Sequence, residues 1–407
     1  MLDFSRTVSN PYRLGLALGH ITDDAQEHEL LPASLDKEDS LLWSMIGGYV
    51  QARFFNLKLA WVDKLLACGW SKSEQGWFLT LLPFIEDVWQ RVAQSLGDKE
   101  ELYWCNVTVN PWEAGDVTVA AEKLITYNRA DAAVKCMSKS FSGKDRFNAD
   151  LATRALLAVL DLEELGSDFD QHAVIEVITQ VQKSPDRDND ALFKIEWNFL
   201  PLLVRLSQGS PLTLEKRLAE DARFFCEVIS LVFRSKNDKD ERPEPTEQQK
   251  NQARLAYQLL SEWKTVPGVS SDGSIDECGF KTWMSEAKKI SQETGHYEIA
   301  MSQIGHMLIH TPKEPEGLWI LPAIAKVLNE KGMTAMRDGF TTELFNSRGV
   351  YSPSGGKDEL KLAKINRDKA DELDARGYTR FATAMREFAQ RYQREAEYEA
   401  DRDPYER

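Results

Sequence analysis

The sequence predicts an all-α protein, built of stacked antiparallel helix pairs wound into an irregular, right-handed α-solenoid of the HEAT or TPR kind. Three observations lead there. Apolar residues recur at three- and four-residue steps along nearly the whole chain, the period of one helix face. The only β-branched alternation, Asn106-Val107-Thr108-Val109, is cut short by Pro111, which cannot donate to a sheet ladder. Small residues such as Ala132 and Ala133 recur where two helices would have to approach closely, as they do in helix-pair repeats. No strict self-similarity at about 34 residues is present, so the pairs are not copies of one unit.

The elements follow in order. Ser40–Cys68 carries Leu42, Trp43, Ile46, Val50, Phe54, Leu57, Trp61 and Leu65 on a helical stripe, and Gly47-Gly48 is expected to divide or kink it. A short helix over Glu74–Leu82 precedes Pro83, which opens Phe84–Leu96 as a first-turn proline, with Gly97 as the stop. A hairpin follows: Asp116 is placed to cap a helix running to Tyr127, and Asn128-Arg129-Ala130-Asp131 breaks the chain before the next. Helical periodicity continues through Asn148–Leu165, Phe169–Val181, Asp188–Leu206, Thr213–Leu218 and Arg223–Phe233.

Ser235–Lys250 lacks apolar residues and contains Pro243 and Pro245, which marks an exposed loop or linker. It divides the chain into an N-terminal helical stack (1–234), a charged linker or loop (235–250) and a C-terminal helical domain (251–407). Thr246 with Gln249 has the spacing of a capping box that opens the next helix. Helices resume at Phe280–Ile290, Ile299–Ile309 and Leu318–Leu328, and a last one runs from Tyr378 to about Glu399.

Composition narrows function. The 407 residues are 42% hydrophobic and 28% charged, enough apolar mass for a sizeable core. With 50 basic against 65 acidic side chains the net charge is −15, which repels nucleic-acid phosphates and anionic lipid over most of the surface. No window approaches 18 consecutive apolar residues, so no membrane span is expected, and the first twenty residues lack the pattern of a signal peptide. The five cysteines are scattered and odd in number, which reads as buried thiols in a reducing, cytoplasmic setting.

Candidate chemistry is sparse. His306 and His310 share a helix face at a metal-ligand spacing, but no carboxylate lies between them to complete the usual set; no metal and no cofactor are expected. The loop Arg348–Lys357 resembles a phosphate-binding loop only superficially: Tyr351 stands where the pattern needs Gly, and Asp358 where it needs Ser or Thr. What remains is a glycine loop whose backbone N–H groups can bind an anion. Arg348, Tyr351 and Lys357 are the candidate partner-binding residues, two cations beside an aromatic ring; the alternative for Arg348 is that it caps a helix C-terminus. Glu196 sits on an otherwise apolar face with residues 192, 195, 199 and 203 and is expected to be a buried, hydrogen-bonded structural carboxylate. The acidic turn Asp272–Glu277 lacks the ligand spacing of an EF-hand loop. The eleven tryptophans read as core.

Five strings stand out as a set: Glu196-Trp197-Asn198-Phe199-Leu200, Asp221-Ala222-Arg223-Phe224-Phe225, Trp263-Lys264-Thr265-Val266-Pro267-Gly268, Phe345-Asn346-Ser347-Arg348-Gly349-Val350 and Arg394-Glu395-Ala396-Glu397. With them, roughly residues 70–400 resemble the C-terminal helical region of large, poorly characterised bacterial multidomain proteins. Some of those are similar to intracellular sensor or antiviral-defence proteins. The resemblance implies a scaffold or sensing part and carries over no functional residue. The leading reading is therefore a non-enzymatic module that binds a protein partner. An enzyme with a metal- or carboxylate-dependent site between the helical halves, and a nucleic-acid-binding helical protein, are the alternatives.

Overall fold

The computed structural model of the chain describes residues 8–21, 27–35, 38–139, 147–205, 209–237, 244–270, 272–313, 317–349 and 354–401. Helix accounts for 72% of the described residues. No strand occurs among them, only an isolated bridge between Val269 and Ile275. The protein is all-α. Its contacts gather into two compact units, Met1–Asn198 and Phe199–Arg407.

The first unit begins with α1 (Pro11–Ile21), α2 (Glu27–Leu30) and α3 (Ser40–Leu66). Helices α1 and α3 meet backbone to backbone. A Cβ added at Gly15 would stand 1.8 Å from the Met45 carbonyl oxygen, and one at Gly48 would stand 2.1 Å from that of Tyr12. Gly47-Gly48 therefore does not divide the helix, contrary to the sequence expectation; α3 runs through it, and Gly48 makes room for α1. The break in α3 comes later, at Lys58, whose φ of 57° is the left-handed conformation that disfavours a Cβ. Buried Glu27 ties the group together, accepting from Arg53 Nε at 2.6 Å and Trp61 Nε1 at 2.9 Å.

Helices α4 (Lys72–Thr80), α5 (Glu86–Leu96) and α6 (Glu101–Trp104) follow. Helix α4 starts two residues before the periodicity suggested because Ser71 and Glu74 form a capping box. Phe84, Trp89, Tyr103 and Trp104 cluster beneath these helices with ring centroids 4.8–6.4 Å apart. The alternation at Asn106–Val109 makes no strand; Val107 and Val109 are buried within an irregular segment.

Next come α7 (Thr118–Thr126), α8 (Ala130–Lys139), α9 (Ala149–Leu160) and α10 (Gln171–Lys183). Asp116 does accept from the first turn of α7, at Thr118 N, 2.8 Å. Asn128, with φ of 58°, turns the chain between α7 and α8. Ala120, Ala121, Ala132 and Ala133 are fully buried, so these short helices pack closely through small side chains. Helix α11 (Asn189–Arg205) crosses the division between the units.

The second unit contains α12 (Leu212–Glu220), α13 (Ala222–Val232), α14 (Glu247–Glu262), α15 (Glu277–Glu293), α16 (Tyr297–Leu308), α17 (Pro322–Leu328), α18 (Thr334–Asn346), α19 (Lys357–Ala375) and α20 (Thr379–Asp401). The described residues of 235–250 fall within the second unit and are mostly exposed, and α13 before them packs on α14 and α15 after them. Phe225, Trp263 and Trp283 close into one cluster there, centroids 5.3–5.9 Å apart. Thr246 and Gln249 form the capping box of α14. Helices α16 and α18 touch through glycine as α1 and α3 do: a Cβ at Gly305 or at Gly339 would lie 2.1 Å from a carbonyl oxygen of the other helix. Helices α19 and α20 form a long hairpin. None of the described helices is long and apolar enough to cross a membrane.

Candidate functional site

The glycine loop before α19 is the first place to look, because it combines deformable backbone with charge. Gly355 and Gly356 both take left-handed φ, 67° and 83°. Gly356 is also buried against α20, where a Cβ would stand 2.4 Å from the Ala396 carbonyl oxygen, so conformation and space both exclude a side chain. This backbone aims two amides at one anion. Ser354 N–H and Gly356 N–H donate to the two oxygens of the Glu399 carboxylate, at 3.1 and 2.6 Å. The loop thus binds an anion, and the anion is a carboxylate from the last turns of α20. Ser354 Oγ accepts from Asp358 N at 3.0 Å and so caps the first turn of α19.

Arg348 was expected to meet a partner, or to cap a helix end. Its side chain is 12% exposed and pairs with Glu359, which is 1% exposed. The physical reason is that a carboxylate buried this deeply is strongly unfavourable without a counter-charge. The guanidinium also lies 5.8 Å from the Tyr392 ring centroid, while Arg391 stacks on Phe345 at 3.8 Å. Burial raises the Glu359 carboxyl pKa. The Arg348 guanidinium, the backbone and the neighbouring Glu399 outweigh that and hold it below the usual carboxylate value. Lys357 is exposed at the first position of α19. Tyr351, the third candidate, lies outside the described residues.

The other sequence candidates occupy structural positions. Glu196 is fully buried and accepts from Gln182 Nε2 at 2.8 Å. His306 and His310 are not joined into a ligand set. His306 Nδ1 stands 3.8 Å from Glu343 Oε2, beyond hydrogen-bond length. Burial pushes both imidazoles below their ordinary pKa, with Lys264 adding to the effect at His310 and Glu343 opposing it at both. No group of three or more His, Cys, Asp or Glu among the described residues is placed to hold a metal ion. His296 is buried between Thr294 Oγ1 at 3.1 Å and the Phe233 carbonyl at 3.0 Å, closing the end of α13 onto the turn before α16.

Two surface features escaped the sequence reading. A groove of about 460 Å³ follows one face of α15, lined by Cys278, Lys281, Thr282, Ser285, Glu286 and Lys289 over three turns. The second feature is Trp112. Of the eleven tryptophans it alone is exposed, at 70%. It sits on a single 3-10 turn, Pro111–Glu113, that is held rigidly: Pro111 is buried, and Glu113 accepts from Phe84 N at 2.6 Å and Asn110 Nδ2 at 2.9 Å. Val119, one turn into α7, is 52% exposed. The signal available in sequence was that no apolar residue follows three or four positions after Trp112, where Gly115 and Asp116 stand; Asn110-Pro111-Trp112-Glu113 is a turn and not a helical stripe.

Comparison of the chain with family models, with curated proteins and with solved structures finds no match.

Proposed function

We propose that this chain is a non-enzymatic helical scaffold that binds a protein partner. The observation that carries this reading is Trp112. A tryptophan left 70% exposed forgoes a large hydrophobic gain, and its backbone is fixed by Pro111 and Glu113, so little entropy is lost when a partner covers it. Tryptophan is also the residue most often found as an anchor in protein interfaces. The α15 groove supports the same reading, since three exposed turns of one helix suit an extended or helical peptide. In the glycine loop Arg348 is paired with Glu359 and the Ser354 and Gly356 amides hold Glu399, which gives that loop a structural role as a clasp. Only Cys136 and Cys226 are the buried thiols expected; Cys68, Cys105 and Cys278 are exposed. The resemblance of the sequence to bacterial sensor and defence proteins supports assigning such a scaffold to a larger defence assembly.

The test is affinity capture from the source cells with the wild-type chain and with Trp112→Ala, quantified by mass spectrometry. A partner retained by the wild type and lost by a variant of unchanged melting temperature supports the reading. Equal retention of every captured protein by both overturns it.

A further inference from the structure

The surroundings of Trp112 are acidic, and they are built. Glu113 is fixed by Phe84 N–H and the Asn110 amide, as described above. Across from it, Glu86 at the start of α5 accepts from Asp116 N at 2.5 Å, and its Oε1 would lie 3.0 Å from a Cβ at Gly115. Asp116 in turn accepts from Thr118 N at 2.8 Å. Three carboxylates are therefore positioned within the turn from Asn110 to Thr118 and the helix start that faces it. Every one of these hydrogen bonds comes from a neutral backbone or amide group. They fix the carboxylates without cancelling their charge. Asp87, exposed beside Glu86, adds a fourth. Lys139 reaches this turn and its ammonium donates to the Ala114 carbonyl, while Arg91 donates to the Asp87 carbonyl at 2.8 Å and balances part of the Asp87 charge. The result is an exposed indole on a pinned turn that also holds Glu113 and Asp116 and meets Glu86.

We infer that this surface docks a basic segment of the protein partner, with an arginine guanidinium stacked on the Trp112 ring and its donors reaching Glu86, Glu113 or Asp116. The inference rests on the interaction reading above and specifies its partner. Indole presents the best π-face for a cation, and the planar guanidinium can stack on it while keeping its edge donors free for carboxylates. Lysine offers a point charge and no stacking plane, so it binds less well there. The net charge of −15 adds long-range attraction for a basic partner and speeds encounter at low salt.

The probe is an acetylated hexa-arginine peptide, with hexa-lysine and hexa-glutamate as controls, titrated into the full chain at moderate salt. The readout is the Trp112 indole N–H signal in a nitrogen–proton correlation spectrum, assigned by its disappearance in Trp112→Phe. That signal should shift saturably with hexa-arginine, less with hexa-lysine and not at all with hexa-glutamate. Trp112→Ala should weaken hexa-arginine binding several-fold without moving the melting temperature. Glu86→Gln with Asp116→Asn, which keeps both acceptor oxygens and removes both charges, should weaken it comparably. Hexa-arginine that binds Trp112→Ala as tightly as wild type, or that leaves the indole signal in place, overturns the inference. Loss of the captured native partner in Trp112→Ala alongside that negative peptide result would leave the interaction reading standing and remove only the basic partner.

Discussion

The Glu399 carboxylate closes onto the backbone N–H of Gly356 at 2.6 Å, joining the last turns of α20 to the first turn of α19 across 43 residues of chain. A helix N-terminus attracts negative charge because its first amides have no internal partner and its dipole points positive end outward. Here Glu399 supplies that charge, and its other oxygen accepts from the Ser354 N–H at 3.1 Å.

Glu399→Ala should therefore lower stability by about 1–3 kcal/mol, the cost of leaving amides without their acceptor. Glu399→Gln keeps one oxygen and should cost less. Urea unfolding of both variants measures this; identical midpoints for wild type and Glu399→Ala would mean that water replaces the carboxylate at no cost.

Arg348→Ala should be more damaging, because it strands Glu359 as a buried charge; breaking such a pair from one side costs about 3–5 kcal/mol. The acid limb tests the same pair. The Glu359 carboxyl pKa is held below its ordinary value of 4.5 in the folded chain. A depressed acid contributes stability that is fully present above its unfolded pKa and is lost as pH falls through the folded one. Stability should thus fall as pH drops below 4.5, and Glu359→Gln should flatten that limb. A Glu359→Gln protein whose pH profile overlays wild type would show that the pair does not titrate with folding.

The helices were legible in the sequence because their signal is local: period, caps and punctuation at Asp116, Gly97 and Thr246 all act within a few residues. Burial of Glu196 was legible for the same reason, since one apolar face of α11 surrounds it. The roles of Arg348 and of the glycine loop were not. Their partners, Glu359 and Glu399, lie 11 and 43 residues away, and nothing local says that a carboxylate will arrive there. The packing across 235–250 was equally hidden, because it depends on Phe225 finding Trp263 and Trp283 beyond that segment. Trp112 was overlooked because tryptophan composition points to core; its exposure follows from a turn held in part by a long-range bond from Phe84.

Glu196→Ala should destabilise by about 1–3 kcal/mol, through the Gln182 amide and the cavity left in the apolar face. Glu196→Gln preserves an oxygen for Gln182 Nε2 and should be milder. Thermal melts of the two variants decide it. A Glu196→Gln protein as unstable as Glu196→Ala would mean that the charge itself, and not the hydrogen bond, is what the site requires.

The sharpest test of the fold compares two neighbouring glycines. Gly47 and Gly48 both lie inside α3, where glycine weakens a helix by about 1 kcal/mol relative to alanine. Propensity alone thus predicts that alanine stabilises at either position. Packing separates them. A Cβ at Gly47 would meet only Leu81 Cδ2, at 3.9 Å, an ordinary contact. A Cβ at Gly48 would stand 2.1 Å from the Tyr12 carbonyl oxygen and 3.0 Å from Leu16 N, both backbone atoms of α1 that cannot swing aside as a side chain could. Gly47→Ala should accordingly raise stability by about 0.5–1 kcal/mol through reduced freedom of the unfolded chain. Gly48→Ala should lower it by about 1–3 kcal/mol, the usual cost of forcing atoms into a packed contact, because α1 must move away from α3 along its whole length. Opposite signs at adjacent positions are the expected result in paired chemical denaturation curves. Stabilisation by both substitutions would mean that α1 does not lie on α3 in solution.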